Sequence, residues 1–269
     1  MQTDHEKRIQ RIAELFAPRK QVEAIALGGS LRSSTTDADS DIDMYIYWNE
    51  PIPVETRANL MEQMGGASRA DLGLTFWGDG DEWYDKATGI EIDLVYFDAH
   101  WMEAQVHRVA FEHQASMGYT TCFWYTVRHS SNLYDPSGWF HRLQSNTQIE
   151  YPPELRQNII ELNYPVLRDI IPSYANQIKK AVKRRDLVSI NHRIAAFLAS
   201  YFDILFALNH QLHPGEKRLL EKAQMLCDSV PENMVVDVQM LLESGSQGKA
   251  NTNQFVEQLV DRLDVILTR

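Results

Sequence analysis

Cysteine is scarce in this chain. The only two among 269 residues, Cys122 and Cys227, are too few and too far apart for a disulfide framework, so a reducing, cytoplasmic setting is expected. No uninterrupted apolar run approaches the length of a membrane-spanning helix, and the opening MQTDHEKRIQRIAELF lacks the apolar stretch of a signal peptide. We therefore expect a soluble protein with no membrane partner. Positive charge is short as well: 26 Lys and Arg against 37 Asp and Glu give a net charge of −11, which repels a nucleic-acid backbone and argues against a polynucleotide partner. The nine histidines form no HExxH and neither cysteine has a CxxC mate, which leaves a zinc site without support. GSQGKAN (245–251) has the wrong spacing for a Walker A loop, and no GxGxxG follows a strand, so P-loop and dinucleotide folds are set aside. The chain also shows no internal repeat or low-complexity tract.

What is present suits a two-domain globular chain, with 44% hydrophobic residues. Ile9, Ile12, Ala13, Leu15 and Phe16 repeat at helical spacing until Pro18. Strands are expected at 21–27, 41–48, 71–78 and 90–98, with a short helix near 55–64. The last two strands are read as a hairpin around the acidic turn DGDEWYDKATG (79–89). From about residue 99 helical patterns take over, at 99–117, 120–130, 153–170, 172–184, 187–210, 215–228 and 253–267, with prolines as breakers and ESGSQGKAN (243–251) as a loop. The expected fold class is α+β: a small mixed-sheet domain at 1–98 and a helical domain at 99–269, with 99–150 as connecting helices.

The chemistry concentrates in LGGSLRSSTTDADSDID (27–43). Asp41 and Asp43 are two residues apart on a strand, so their side chains leave one face with Cα atoms about 6–7 Å apart. Such repulsion gains nothing structurally, whereas a hard divalent cation such as Mg²⁺ turns it into attraction. Asp93 lies centrally in the alternating IEIDLVYFD (90–98), and joins the pair if its strand lies beside 41–48. Three carboxylates suit two metal ions and in-line phosphoryl transfer, with Asp93 either sharing a metal or taking a proton from an attacking hydroxyl. Gly28, Gly29 and Ser30 let a substrate approach the backbone, the following turn offers N–H groups to an anion, and Arg32 adds positive charge.

Gly28-Gly29-Ser30, a ten-residue spacer, Asp41-Ile42-Asp43 and the later Asp93 resemble the signature of the DNA polymerase beta type nucleotidyltransferase superfamily, over roughly residues 20–98. In architecture and size the chain is similar to the antibiotic nucleotidyltransferases that act on aminoglycosides or lincosamides. The resemblance implies transfer of a nucleoside monophosphate, AMP from ATP, to a hydroxyl of a small acceptor held between the domains, with pyrophosphate released. It implies that Gly29 and Ser30 contact the triphosphate, that Asp41 and Asp43 bind Mg²⁺, and that Asp93 is the third carboxylate. Relatives often use a helical-domain lysine on the triphosphate, and Lys217, in a helix expected to start at Pro214, is the candidate here. Other members of the superfamily modify a protein hydroxyl or a tRNA end, and a nucleotide-binding module that has lost catalysis is the non-enzymatic alternative. Acceptor, nucleobase and oligomeric state are not legible.

Other polar stretches carry two readings each. Asp37 and Asp39 are read as loop or capping residues, with contact to metal or substrate as the alternative. KKAVKRR (179–185) is read as a charged helix face, with a polyanion site as the alternative. Trp77, Trp83 and Tyr84, with the acids between the strands, suit either packing or a polycationic or sugar-like acceptor. Asn191, His192, Arg193 and Asp203 interrupt an apolar helix, either to line a cleft or as satisfied core groups.

Overall fold

In a computed structural model of the chain, residues 3–28 and 41–268 are described. They pack as two compact units, Met1–Val106 with Thr126–Ile149 and His107–Tyr125 with Glu150–Arg269. The expected α+β class holds: one unit carries a six-stranded mixed sheet, and the other is helical among the described residues.

The sheet comprises β1 (Val22–Leu27), β2 (Ile42–Trp48), β3 (Ala67–Leu74), β4 (Asp79–Asp85), β5 (Glu91–Asp98) and β6 (Ser131–Tyr134), in the order β3-β4-β5-β2-β1-β6. Only β2 and β5 run parallel; the other described pairs are antiparallel. Period-two alternation decides which side chains enter the core. Ile42, Met44 and Ile46 of β2 face one way with Ile92, Leu94 and Tyr96 of β5, under Ile12 and Phe16 of α1 (Asp4–Phe16) and Leu60 and Met61 of α2 (Val54–Gln63). Burial of each large apolar side chain contributes roughly 1.5–3 kcal/mol, so a one-residue slip of β2 is strongly disfavoured. At the start of α1 the Thr3 Oγ1 accepts the Glu6 N–H at 3.2 Å, and Glu6 Oε2 accepts the Thr3 N–H at 2.7 Å, a reciprocal cap.

The stretch expected as an acidic turn is strand β4, so residues 67–98 form a three-stranded meander instead of one hairpin. Its inward positions are Asp81, Trp83 and Asp85. Asp81 accepts from Arg57 Nη1 at 2.8 Å, the Gly73 N–H at 2.7 Å and Tyr96 Oη at 2.6 Å. Burial pushes its carboxyl above the usual range while these donors pull it back. The Arg57 guanidinium also lies 4.6 Å from the Tyr96 ring centroid. Asp85 pairs with Arg8 at 3.1 Å and accepts the Thr88 N–H at 2.9 Å, closing the turn into β5.

After β5 come α3 (Ala99–Ala110) and α4 (Cys122–His129), and then β6, a strand where only helices are expected. It pairs with β1, Ser131 opposite Leu27. The unforeseen α5 (Trp139–Asn146) follows, placing Trp139 and Phe140 with ring centroids 5.3 and 5.0 Å from Tyr47 on the sheet face away from α1.

The helical unit holds α6 (Pro153–Leu167), α7 (Tyr174–Arg184), α8 (Leu187–Leu208), α9 (Leu219–Leu226), α10 (Met234–Ser246) and α11 (Thr252–Leu267). α8 is apolar on nearly every side and forms the hub, with Phe197, Tyr201, Ile204 and Leu205 buried among Ile178, Leu241, Leu259 and Leu263. α10 is an addition to the expected helices and takes in the first residues of the stretch read as a loop. Two buried polar groups tie the irregular segments down. Asp203 of α8 accepts the Thr120 N–H at 3.0 Å and Thr120 Oγ1 at 2.6 Å, and burial raises its carboxyl to about 7. His213 Nδ1 accepts the Gly215 N–H at 3.1 Å and lies 3.4 Å from Cys122 Sγ, while burial lowers the imidazole to about 4. Both cysteines are free thiols, and burial raises Cys122 to about 12.

Candidate functional site

The parallel register of β2 and β5 sets Asp43 directly opposite Asp93. Neighbouring strands are about 4.8 Å apart, and both residues point away from the apolar core, so two half-buried carboxylates share one patch of the sheet. The β4 register continues this row, with Glu82 opposite Asp93 and exposed on the same face. Asp41 immediately precedes β2 and is exposed. Tyr84, opposite Glu91, hydrogen-bonds to it, and that bond followed by the charge of Glu91 raises its phenol, with Asp41 contributing less.

Gly28 closes the other side. Its N–H donates to the Asp43 carbonyl at 2.8 Å. A Cβ at Gly28 would lie 3.0 Å from Asp43 Cβ, 3.1 Å from the Asp43 carbonyl oxygen and 3.6 Å from Tyr45 Oη. The tight approach of Gly28 to β2 favours a residue without a side chain, whatever its backbone angles. For Gly28→Ala the added methyl must displace backbone or the Asp43 side chain, and we expect a loss of about 1–3 kcal/mol. Urea unfolding of variant and wild type measures it. Tyr45, two residues along β2 from Asp43, is half-buried, and its phenol is pushed up to about 12, chiefly by burial and then by the charges of Asp43 and Asp93. Its ring lies tilted against Phe97, with centroids 5.9 Å apart.

Gly29, Ser30, Arg32, Asp37 and Asp39 lie outside the described residues. Lys217 is exposed and sits in a turn rather than in the first turns of a helix. Gly215 has φ +86° and Arg218 φ +55°, left-handed conformations that delay α9 to Leu219. Of the residues considered for an acceptor, Trp83 is core and Asp81 and Asp85 are consumed by their own partners, while Trp77 is 93% exposed at the β3–β4 turn. Asp203 is a satisfied core group, Asn191 and His192 are exposed, and the cations of KKAVKRR lie on the solvated face of α7 and at its end. Glu82 is the site-face residue that sequence reasoning missed. Its signal was the alternation of Asp81, Trp83 and Asp85 against Glu82 and Tyr84, hidden by reading the stretch as a turn.

Among the described residues no three His, Cys, Asp or Glu side chains form a group that could hold a metal ion. No described helix is long and apolar enough to cross a membrane. The fold and this face define an α+β protein with two opposed carboxylates beside a closely packed glycine.

No family model matches the chain, and no curated protein matches it. Among solved structures it is similar to a nucleotidyltransferase-like protein from Exiguobacterium sibiricum 255-15, with 12% identity over 97% of this chain and 74% of that one, at a TM-score of 0.43. A likeness of that size carries no weight about activity.

Proposed function

We propose that the protein is a nucleotidyltransferase that moves AMP from ATP to a hydroxyl of a small acceptor and releases pyrophosphate. The observation that carries this reading is the opposition of Asp43 and Asp93 in the β2–β5 register, with Gly28 packed closely against Asp43 from the other side. The donor set fits Mg²⁺. It offers hard carboxylate oxygens, and Mg²⁺ commonly takes one or two protein carboxylates and completes its shell with substrate phosphates and water, so a third protein carboxylate is not required. When bound, the ion would neutralise phosphate charge and lower the cost of alkoxide and pyrophosphate formation.

The chain's own residues then have separable tasks. Asp43, with Asp41 at the mouth of β2, would hold the cation. Asp93 would either share a second ion or accept the proton of the attacking hydroxyl. As the new bond from acceptor oxygen to the α-phosphorus forms, the bond from that phosphorus to the bridging oxygen breaks, and the electron pair leaves with pyrophosphate. Gly28, Gly29, Ser30 and Arg32 would line the phosphates, and Lys217 is a further residue proposed for the triphosphate.

The test follows α-phosphate-labelled ATP with Mg²⁺ and a panel of aminoglycosides and lincosamides. Label on a panel member is the expected result. Label appearing instead on proteins or tRNA of a cell extract would retain the enzyme and assign a macromolecular acceptor. No adduct and no pyrophosphate under either condition would overturn the reading.

A further inference from the structure

Tyr45 occupies a position where the fold alone asks for little. It lies on the same face of β2 as Asp43, opposite Val95 of β5. A branched apolar residue like that neighbour would satisfy the strand. The phenol instead adds a hydroxyl, 3.6 Å from where a Cβ on Gly28 would stand, just past the end of β1. Asp43 precedes Tyr45 by two residues on that face, with Asp93 opposite Asp43 on β5. The Phe97 ring supports the phenol from β5, which limits how far the hydroxyl can swing.

We propose that Tyr45 is a substrate-positioning residue whose hydroxyl donates a hydrogen bond to a non-bridging phosphate oxygen of the nucleotide. This inference rests on the nucleotidyltransferase reading above and adds to it the group that lets an acidic surface accept an anion. A phenol is neutral and protonated at pH 7 in any ordinary setting, so it supplies a donor without drawing the cation's charge away from the carboxylates. The bare cation needs no donor, whereas the polyphosphate does. The hydroxyl therefore discriminates between the two, and a hydrogen bond to a charged oxygen corresponds to about ten- to hundredfold in affinity.

The test compares two equilibria in wild type, Tyr45→Phe and Asp43→Asn: Mn²⁺ alone, and α,β-methylene-ATP in the presence of Mn²⁺, both by titration calorimetry. Tyr45→Phe keeps the ring and its contact with Phe97, and near-UV circular dichroism checks that the packing survives. We expect Tyr45→Phe to hold Mn²⁺ within about twofold of wild type and to weaken the nucleotide analogue at least about tenfold. Asp43→Asn should weaken both. Equal affinities for the analogue in Tyr45→Phe and wild type would overturn the assignment and leave the enzyme reading standing. A parallel loss of Mn²⁺ and analogue would make Tyr45 a structural residue and overturn it as well. Failure of wild type to take up the analogue at all, with Mn²⁺ bound, would remove the nucleotidyltransferase reading and this inference with it.

Discussion

Asp43→Asn is expected to lower nucleotidyl transfer by at least about a thousandfold, on the order of 4 kcal/mol in the barrier, while the protein stays folded. Replacing the carboxylate by an amide keeps size and shape, so the half-buried position on β2 is still filled. It removes one of two negative charges that the β2–β5 register holds side by side. Activity should therefore fall while the fold is retained. Label transfer and urea midpoints on the same preparations measure both. A variant that keeps more than a tenth of wild-type transfer would mean that Asp43 does not hold the cation.

The second large effect lies in the helical unit and is hidden in the wild type. Asp203 has its carboxyl raised to about 7, so between the unfolded value near 3.8 and pH 7 the unfolded chain binds fewer protons and stability falls as pH rises. His213 has its imidazole lowered to about 4, so between pH 4 and the unfolded value near 6.5 the unfolded chain binds more protons and stability rises. Each effect is on the order of 3–4 kcal/mol at about 1.4 kcal/mol per pH unit, and the two oppose each other over nearly the same window. In the wild type these two contributions should therefore nearly cancel from about pH 4.5 to 6.5. Asp203→Asn should expose the histidine, gaining stability as pH rises through that range. His213→Asn, whose amide oxygen replaces Nδ1 as acceptor for the Gly215 N–H, should expose the aspartate and lose stability as pH rises towards 7. The charge of Lys222 also bears on His213, and Glu216 lies near Cys122, so both residues are kept unchanged in the comparison. Urea unfolding followed by far-UV circular dichroism at four pH values separates the slopes. Identical profiles in all three proteins would show that neither group is held neutral by burial.

Legibility of the fold depended on how burial was achieved. β2 was readable because its core positions Ile42, Met44 and Ile46 alternate with polar and aromatic ones. β4 was not, because two of its inward positions are aspartates. Only the arrival of Arg57 and Arg8 from distant helices makes those positions buried ones, and no local pattern announces such partners. β6 has four residues, Ser-Asn-Leu-Tyr, too short and polar for an alternation signal. Pro214 suggested a helix start, but the left-handed residues after it postpone that start, a tertiary outcome that proline statistics do not carry. Within the site, the motif identified Asp43, Asp93 and Gly28. The reason for Gly28, contact with Asp43 across the sheet, emerges only once the register is known. Glu82 was lost with the strand that presents it.

The return of residues 126–149 to the sheet bears on how such a protein can be cut or recombined. β6 pairs the outer edge of β1, and Trp139 and Phe140 cover Tyr47. A gene fragment ending after β5 would leave the backbone of Ile25–Leu27 open along an apolar strand and strip the ring cover from Tyr47. Such an edge recruits a neighbouring molecule, so the fragment would tend towards aggregation. The sheet-bearing unit is built from two separate pieces of sequence, and a transplant of it would keep its sheet only when both pieces travel together.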